Sequence, residues 1–289
     1  MLRASGEEQH THAVATAPSA DIRDGWRRFR AAYGKHRAAE GRGTGGEEEL
    51  LALPYLATGP FAREWGVRAR TFDRFVTAVL QVRAREVASR PLSVLDLGAG
   101  NGWVCYRVKL LGHQAVALDM RHDGVDGLAA GGAYRRHLPT MFGQVVASFD
   151  AIPVAPRRFD IALFNASLHY ALDLRRVLEE AAMVVVSGGR IVILDSPFYT
   201  GADGGEAMVT EKRRDAARRF GDLADDLCSL PFVEYLTPGR LNEASQSLGL
   251  SWRRHRVRYP LWYELRTLLA VLSRRRIPSR FDLWAATVP

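Results

Sequence analysis

Three glycines at alternate positions and two aspartates are the residues whose types and spacing most clearly suggest chemistry. The segment 96–102 reads D-x-G-x-G-x-G, and Asp119 ends the next apolar run. Glycine has no Cβ and adopts positive φ, so such a loop brings backbone N–H groups close to a ligand. An aspartate at the end of the second strand of a βαβ unit is placed to accept ribose hydroxyls. The pattern therefore predicts a nucleoside-type ligand between the loop and Asp119.

Short apolar runs around this loop predict the elements that position it. Ser93–Leu97 indicates a buried parallel strand, 104–111 a helix, and Gln114–Asp119 a second strand. Five further strands are predicted at 143–148, 159–165, 190–195, 252–259 and 281–287. Helices are predicted between most of them, including one at 172–186. This alternation favours an α/β fold with a parallel sheet covered by helices on both faces.

The glycine spacing distinguishes between two nucleotide-binding families. The nicotinamide fingerprint G-x-G-x-x-G needs a third glycine at the position of Trp103. The segment instead resembles motif I of the class I S-adenosylmethionine-dependent methyltransferases, including those with a type 11 domain. The resemblance covers roughly 90–195 with specific motifs and the flanks only in outline. It implies a Rossmann-like, doubly wound sheet of seven strands. Such a sheet is mostly parallel, and here 252–259 and 281–287 would supply its C-terminal antiparallel pair.

The same resemblance implies S-adenosylmethionine as cofactor and assigns residues to it. The methionine part would lie over the glycine loop with Asp96 beneath. The ribose would meet Asp119, and the adenine Met120. The usual acidic residue at the adenine edge falls on Ser148, so either Ser148 with the Phe149 backbone or a shifted Asp150 makes that contact. The implied cofactor-binding residues are Asp96, Gly98, Ala99, Gly100, Asn101, Gly102, Asp119, Met120, Ser148, Phe149, Asp150, Asn165 and Ala166.

The acceptor side is predicted beyond strands 159–165 and 190–195, because ligands of open α/β sheets bind at the carboxyl ends of strands. His169 is the only histidine there, which makes it the candidate catalytic residue, as general base or as substrate-orienting donor. The alternative is a histidine hydrogen-bonded within its loop. Tyr170, Phe198 and Tyr199 are the candidate substrate wall, with plain core packing as the alternative. No spacing of metal ligands occurs, so no metal is expected.

Together, these features predict an enzyme that transfers a methyl group by in-line displacement to a small-molecule acceptor. A nucleic-acid methyltransferase or binding protein is one alternative, because arginines group at 213–214, 253–258 and 274–276 and the formal net charge is +8. Solvated helix faces are the favoured explanation of these groups, and the chain lacks an Asn/Asp-Pro-Pro-aromatic tetrad. An NAD(P)-dependent oxidoreductase is the other alternative.

The flanks and composition complete the expectations. Residues 1–20 are predicted to be disordered, 21–89 to form an N-terminal helical extension or cap, and 90–289 to form the methyltransferase domain. The aromatic residues at spacings of three and four in 21–39 predict a helix that packs on the domain or covers the cofactor cleft. With two cysteines, no apolar run of membrane length and no secretory leader, a cytoplasmic protein without a membrane partner is expected. The oligomeric state stays open.

Overall fold

The computed structural model describes residues 20–41, 46–88 and 90–289. Its centre is one seven-stranded sheet in the order β3-β2-β1-β4-β5-β7-β6. Its strands are β1 Ser93–Leu97, β2 Gln114–Asp119, β3 Gly143–Val146, β4 Phe159–Asn165, β5 Val185–Leu194, β6 Trp252–His255 and β7 Leu283–Thr287. β1 to β5 pair in parallel, and β7 pairs antiparallel with β5 and β6. The predicted doubly wound sheet with its C-terminal antiparallel pair is confirmed. The predicted disorder of 1–20 falls outside the described residues except at Ala20, where α1 begins.

Ten α-helices within the described ranges surround this sheet. They are α1 Ala20–Ala39, α2 Gly46–Ala52, α3 Ala62–Phe75, α4 Gln81–Val87, α5 Trp103–Leu110, α6 Leu174–Val184, α7 Ala202–Phe220, α8 Leu223–Leu227, α9 Pro238–Ser245 and α10 Leu261–Leu272. A five-residue π-helical segment, Val76–Leu80, joins α3 to α4. Local sequence explains several ends: the Asp173 side chain accepts from the Arg176 N–H at the start of α6. Gly112 follows α5 with φ of 84°.

Alternation along the strands builds a core on each face of the sheet. In β1, Val94 belongs to the core beside α3 and α5, whereas Leu95 and Leu97 belong to the core beside α6 and α9. Successive strand residues point to opposite faces, so one apolar run supplies both cores. A third, smaller cluster joins α1 to Leu230 and Phe232. This cluster holds α1 across the end of the domain.

The largest departure from the predicted elements is in β5, which begins at Val185 rather than at 190. The turn expected at 187–189 lies within the strand: Gly188 has φ of 74°, and the register against β4 shifts between Phe159 and Ile161. The glycines therefore mark a β-bulge and not a strand boundary. The β3, β6 and β7 strands are each shorter than predicted, and the division at residue 89 stays a prediction.

Candidate cofactor and acceptor site

The glycine loop joins β1 to α5 in a shape that requires glycine. Gly98, Gly100 and Gly102 have φ of 78°, 55° and 76°, in the left-handed region that side chains disfavour. A Cβ on Gly98 would lie 2.5 Å from the Cβ of Ser167, whose Oγ donates to the Leu97 carbonyl. The connection after β4, which contains Ser167, thus approaches the loop too closely for any other residue at position 98.

A cavity of about 400 Å³ opens above this loop, at the carboxyl ends of β1, β2, β4 and β5. It brings together most of the predicted site. The predicted residues that line it are Gly98, Ala99, Gly100, Asn101, Asp119, Met120, Phe149, Asn165, Ala166, His169 and Tyr170. Asp96, Gly102, Ser148, Asp150, Phe198 and Tyr199 do not line it. The carboxyl-end rule thus gives the correct edge of the sheet, and six of the predicted residues lie outside the cavity lining.

Asp96 and Gly102 lie behind the loop, which for Asp96 is the predicted position. Asp96 is fully buried, and neither of its carboxylate oxygens has a hydrogen-bond partner among the described residues. Burial, with the nearby charge of Asp119, raises the pKa of Asp96 to about 8. Gly102 backs onto Phe142, where a Cβ would lie 2.8 Å from the ring. Gly102 therefore supports packing beneath the loop.

Of the three residues predicted at the adenine edge, only Phe149 reaches the cavity. The Phe149 ring is buried and meets Phe164 edge-on at 6.0 Å. Asp150 contributes its backbone carbonyl to Arg176 Nε at 3.1 Å, on the side of α6. Neither Ser148 nor Asp150 lines the cavity.

Two of the three predicted substrate-wall residues also lie elsewhere. Phe198 is buried and stacks on Trp284 at 4.8 Å, with its backbone bridged to Leu236 and Arg280. Tyr199 lines a second cavity of about 380 Å³ that shares His169 and Tyr170 with the first. Phe198 is therefore a core residue, and Tyr199 belongs to the neighbouring space.

Asp119 closes one end of the main cavity. Its Oδ2 accepts from the Gly100 N–H at 2.8 Å, and its Oδ1 accepts from the Arg121 N–H at 2.7 Å. Burial raises the pKa of this carboxyl, while the two backbone donors and Arg121 oppose that change. Each oxygen keeps a second lone pair, so the carboxylate can still accept hydroxyls of a ligand.

The α1 helix forms the roof of the cavity. Trp26, Phe29 and Tyr33 line it from above, at the positions that predicted an amphipathic helix. Arg37 pairs with Asp126 at 2.6 Å, and Asp126 Oδ1 accepts from Asn101 Nδ2 of the glycine loop at 3.3 Å. Of the two predicted roles for 21–39, packing on the domain and covering the cleft, α1 performs both.

At the opposite end of the cavity lie buried polar atoms that have no hydrogen-bond partner among the described residues. Asp195, which follows β5, has φ of 48° and an Oδ1 with no partner among the described residues. Burial raises its pKa to about 6, and Arg68 on α3 limits that rise. The buried Nδ1 of His169 also has no partner within the described chain. Burial and the charges of Lys212 and Arg68 lower the pKa of His169 to about 3, so its imidazole is neutral at pH 7.

This end also includes residues that are not among the predicted site residues given above. Arg68 and Trp65 come from α3, and Phe281 precedes β7. A signal existed for Asp195, because an acid directly after a buried parallel strand lies at the ligand edge. No comparable signal marks Arg68, because arginine is usually a surface residue and this helix contains several of them. A left-handed, non-glycine Asp195 with a free carboxylate oxygen is the kind of strained conformation found at functional sites.

Residues 95–193 match the model of a family described as Methyltransferase domain. This segment is therefore similar to methyltransferase domains. A malonyl-[acyl-carrier protein] O-methyltransferase of Erwinia pyrifoliae is 27% identical over 135 residues, 45% of this chain and 49% of that protein. The protein of the same name from Methylococcus capsulatus is 28% identical over 181 residues, 57% of this chain and 62% of that protein. The matches thus span about half to three fifths of these relatives.

Solved structures agree on the fold. A protein from Listeria monocytogenes assigned as an S-adenosylmethionine-dependent methyltransferase is 14% identical, with a TM-score of 0.50 over 77% of this chain and 98% of that one. Trp103 packs edge-on against Trp65 at 5.7 Å, at the position where the nicotinamide fingerprint has glycine.

Among 20–41, 46–88 and 90–289, no cluster of His, Cys, Asp and Glu could hold a metal ion. Over the same ranges, no helix combines the length and the apolar character needed to cross a membrane.

Proposed function

We propose that this protein transfers a methyl group from S-adenosylmethionine to a small-molecule acceptor. One observation carries the proposal: the glycine loop and Asp119 share a single cavity with the unpartnered polar atoms of Asp195 and His169. The proposed cofactor and acceptor sites would thus lie side by side in the cavity that α1 covers. When bound, the cofactor supplies a methyl group already activated by its sulfonium.

The residues present fit this cofactor. The positive φ of Gly98 and Gly100 leaves room for a ligand against the loop backbone, and Asp119 has free lone pairs for ribose hydroxyls. Met120 and Phe149 offer apolar surface beside them, which suits a purine ring. Asp96, buried without a partner below the loop, supplies an unpaired carboxyl group near the place where an amino group would lie.

Asp195 is the proposed base, in preference to His169. A group with a pKa near 6 is ionised at pH 7 and still accepts a proton effectively, whereas one near 3 does not. The Asp195 carboxylate would take the proton from an acceptor hydroxyl while the hydroxyl oxygen attacks the methyl carbon. The neutral His169 ring would hold the acceptor by a hydrogen bond, the second role predicted for it.

An acceptor carboxylate is a second candidate, favoured by Arg68. This guanidinium lines the cavity, and no salt bridge joins it to a carboxylate within the described chain. A carboxylate acceptor needs no base, and the proteins matched above are named as O-methyltransferases of a malonyl group. Arg68→Gln would raise KM for an acid acceptor at least tenfold, whereas Asp195→Asn would lower kcat for a hydroxyl acceptor.

Two observations favour this function over the alternatives. The roof formed by Trp26, Phe29 and Tyr33 encloses about 400 Å³, which suits a small acceptor better than a polymer. The side chain of Trp103 fills the place of the third nicotinamide-fingerprint glycine. Steeply salt-dependent RNA binding that displaces the cofactor would support the nucleic-acid alternative.

Isothermal titration with S-adenosylmethionine, S-adenosylhomocysteine and NADH tests the cofactor. We expect micromolar binding of the two sulfur nucleosides and none of NADH. Asp119→Ala should weaken that binding by tenfold or more, because a charge-assisted hydrogen bond contributes about 1.5–3 kcal/mol. Glu48→Ala, on the distant helix α2, is the matched control for removing one carboxylate. Binding of NADH alone would refute the proposal.

A further inference from the structure

The outer face of α10 exposes an unusual density of large apolar side chains. Leu261, Leu265, Leu268 and Leu272 repeat at spacings of four, three and four, so they form one stripe along the helix. Leu261 is 80% exposed and Leu272 71%. Leu269 and Trp262 widen the stripe on one side. Exposed apolar patches of this kind mark interaction surfaces.

The charged side chains of α10 bond to other parts of the protein and do not project from this face. Glu264 pairs with Arg280 at 2.7 Å, and Arg266 Nη2 donates to the Ser279 carbonyl at 3.2 Å. The opposite side of the helix is anchored by the buried Tyr263 and Ala270. The outer face therefore offers almost no hydrogen-bonding group to a partner, unlike protein interfaces, which carry about one hydrogen bond per 100–200 Å².

Arginines surround the stripe at both ends and along one side. Arg258 precedes α10, Arg274 and Arg275 follow it, and all three are exposed. On α3, the guanidinium of Arg63 lies 4.5 Å from the centroid of the Trp262 ring. Arg70, two turns further along α3, donates to the Arg258 carbonyl at 3.5 Å. No salt bridge engages these five arginines within the described residues, so their charges are available to a ligand.

We propose that α10 and its arginine rim dock on the surface of an anionic phospholipid bilayer. An amphipathic helix with leucines on one face and basic residues at its border lies in the membrane interface, where lipid tails bury the apolar face and anionic headgroups meet the cations. A second copy of this chain fits less well, because two-fold pairing would bring one arginine rim against another. This proposal replaces the sequence-based expectation of no membrane partner and concerns peripheral docking, not a spanning helix.

Docking in this way has a consequence for the neighbouring cavities. Arg266 of α10 lines the second cavity, which shares His169 and Tyr170 with the main one. Phe281, which lines the main cavity, follows α10 by a short connection. The docked helix would hold the acceptor side of the molecule beside the headgroups, so an amphiphilic acceptor would have a short path to the site.

Vesicle flotation of the full chain tests the docking directly, independently of methyl transfer. The probes are phosphatidylcholine vesicles with and without phosphatidylglycerol. We expect binding to the anionic vesicles and much weaker binding to the neutral ones. Arg274→Gln with Arg275→Gln should weaken anionic binding about 25-fold, from about fivefold for each charge.

The apolar contribution is tested by Leu265→Gln, Leu268→Gln and Leu272→Gln combined, which keep helix propensity and remove the stripe. We expect this variant to lose vesicle binding more than a hundredfold while it keeps its circular dichroism spectrum. Leu110→Gln with Leu111→Gln, at the exposed leucines where α5 ends, is the matched control and should bind as the wild type does.

Insertion depth gives a second readout. Brominated phosphatidylcholine should quench the fluorescence of Trp262, and Trp262→Phe should remove that quenching. The proposal would be overturned if the protein did not float with anionic vesicles, or if the leucine substitutions left flotation unchanged. Absence of flotation has a special case, in which the protein forms an oligomer that the leucine substitutions dissociate. That result would identify the stripe as a contact between copies, read by light scattering after size exclusion.

Discussion

Alanine at position 98 should be far more damaging than alanine at another glycine with the same backbone conformation. Gly98 and Gly112 have φ of 78° and 84°, so alanine at either site carries the same left-handed penalty of about 1–2 kcal/mol. At Gly112 the new Cβ meets nothing within 4 Å, whereas at Gly98 it lies 2.5 Å from the Ser167 Cβ. Overpacking adds about 1–3 kcal/mol. We therefore expect a loss of about 2–5 kcal/mol for Gly98→Ala and about 1–2 kcal/mol for Gly112→Ala.

Urea unfolding followed by circular dichroism measures both losses. The clash predicts a rescue as well: Ser167→Gly removes the atom that the new Cβ meets, so the double variant should recover the overpacking part. Titration with S-adenosylhomocysteine should show weaker binding for Gly98→Ala and unchanged binding for Gly112→Ala. Equal destabilisation of the two single variants, or no recovery in the double variant, would refute the assignment of the clash.

Three further outcomes follow from the charges of the site. The raised pKa of Asp96 means that the folded protein keeps a proton that the unfolded chain loses, so the free energy of unfolding should fall as pH rises from about 4 to about 8. Asp96→Asn should reduce the slope of the free energy of unfolding against pH by about 1 kcal/mol per pH unit, as measured by urea unfolding across this range. With Asp195 as the base, kcat/KM should rise with pH through about 6 and lose that step in Asp195→Asn, checked by a pH–rate profile; an unchanged profile would exclude Asp195. Arg37→Met should raise the cofactor Kd about tenfold by freeing the roof from Asp126, whereas Arg27→Met, exposed on the same helix, should not.

The features predicted from sequence are those fixed by local chemistry. The glycine loop, the strand ends and the alternation in β1 each follow from a few adjacent residues, because backbone conformation and burial on a strand have short-range signatures. Sheet order and the antiparallel C-terminal pair came from the family resemblance, since no local pattern states which strands are neighbours. The bulge in β5 was missed because Ser187, Gly188 and Gly189 are equally typical of a turn.

The site residues that were misplaced depend on tertiary packing. Phe198 and Tyr199 are adjacent in sequence, yet one stacks on Trp284 and the other lines the second cavity. Nothing local determines that choice. The pair of Arg37 and Asp126 joins residues 89 positions apart, and Asp126 lies in a stretch without clear periodicity. Contacts of this kind arise only when α1 is placed over the loop.

The roof also bears on how fast ligands leave. The aromatic residues of α1 form both the ceiling of the cavity and, with Leu230 and Phe232, the cluster that attaches the helix to the domain. Separation of that cluster would uncover a bound molecule along the whole side of the cavity that α1 covers. This couples the residence time of the spent nucleoside to the opening rate of one helix. Turnover would then be governed by product release, and burst kinetics in the first cycle would reveal it.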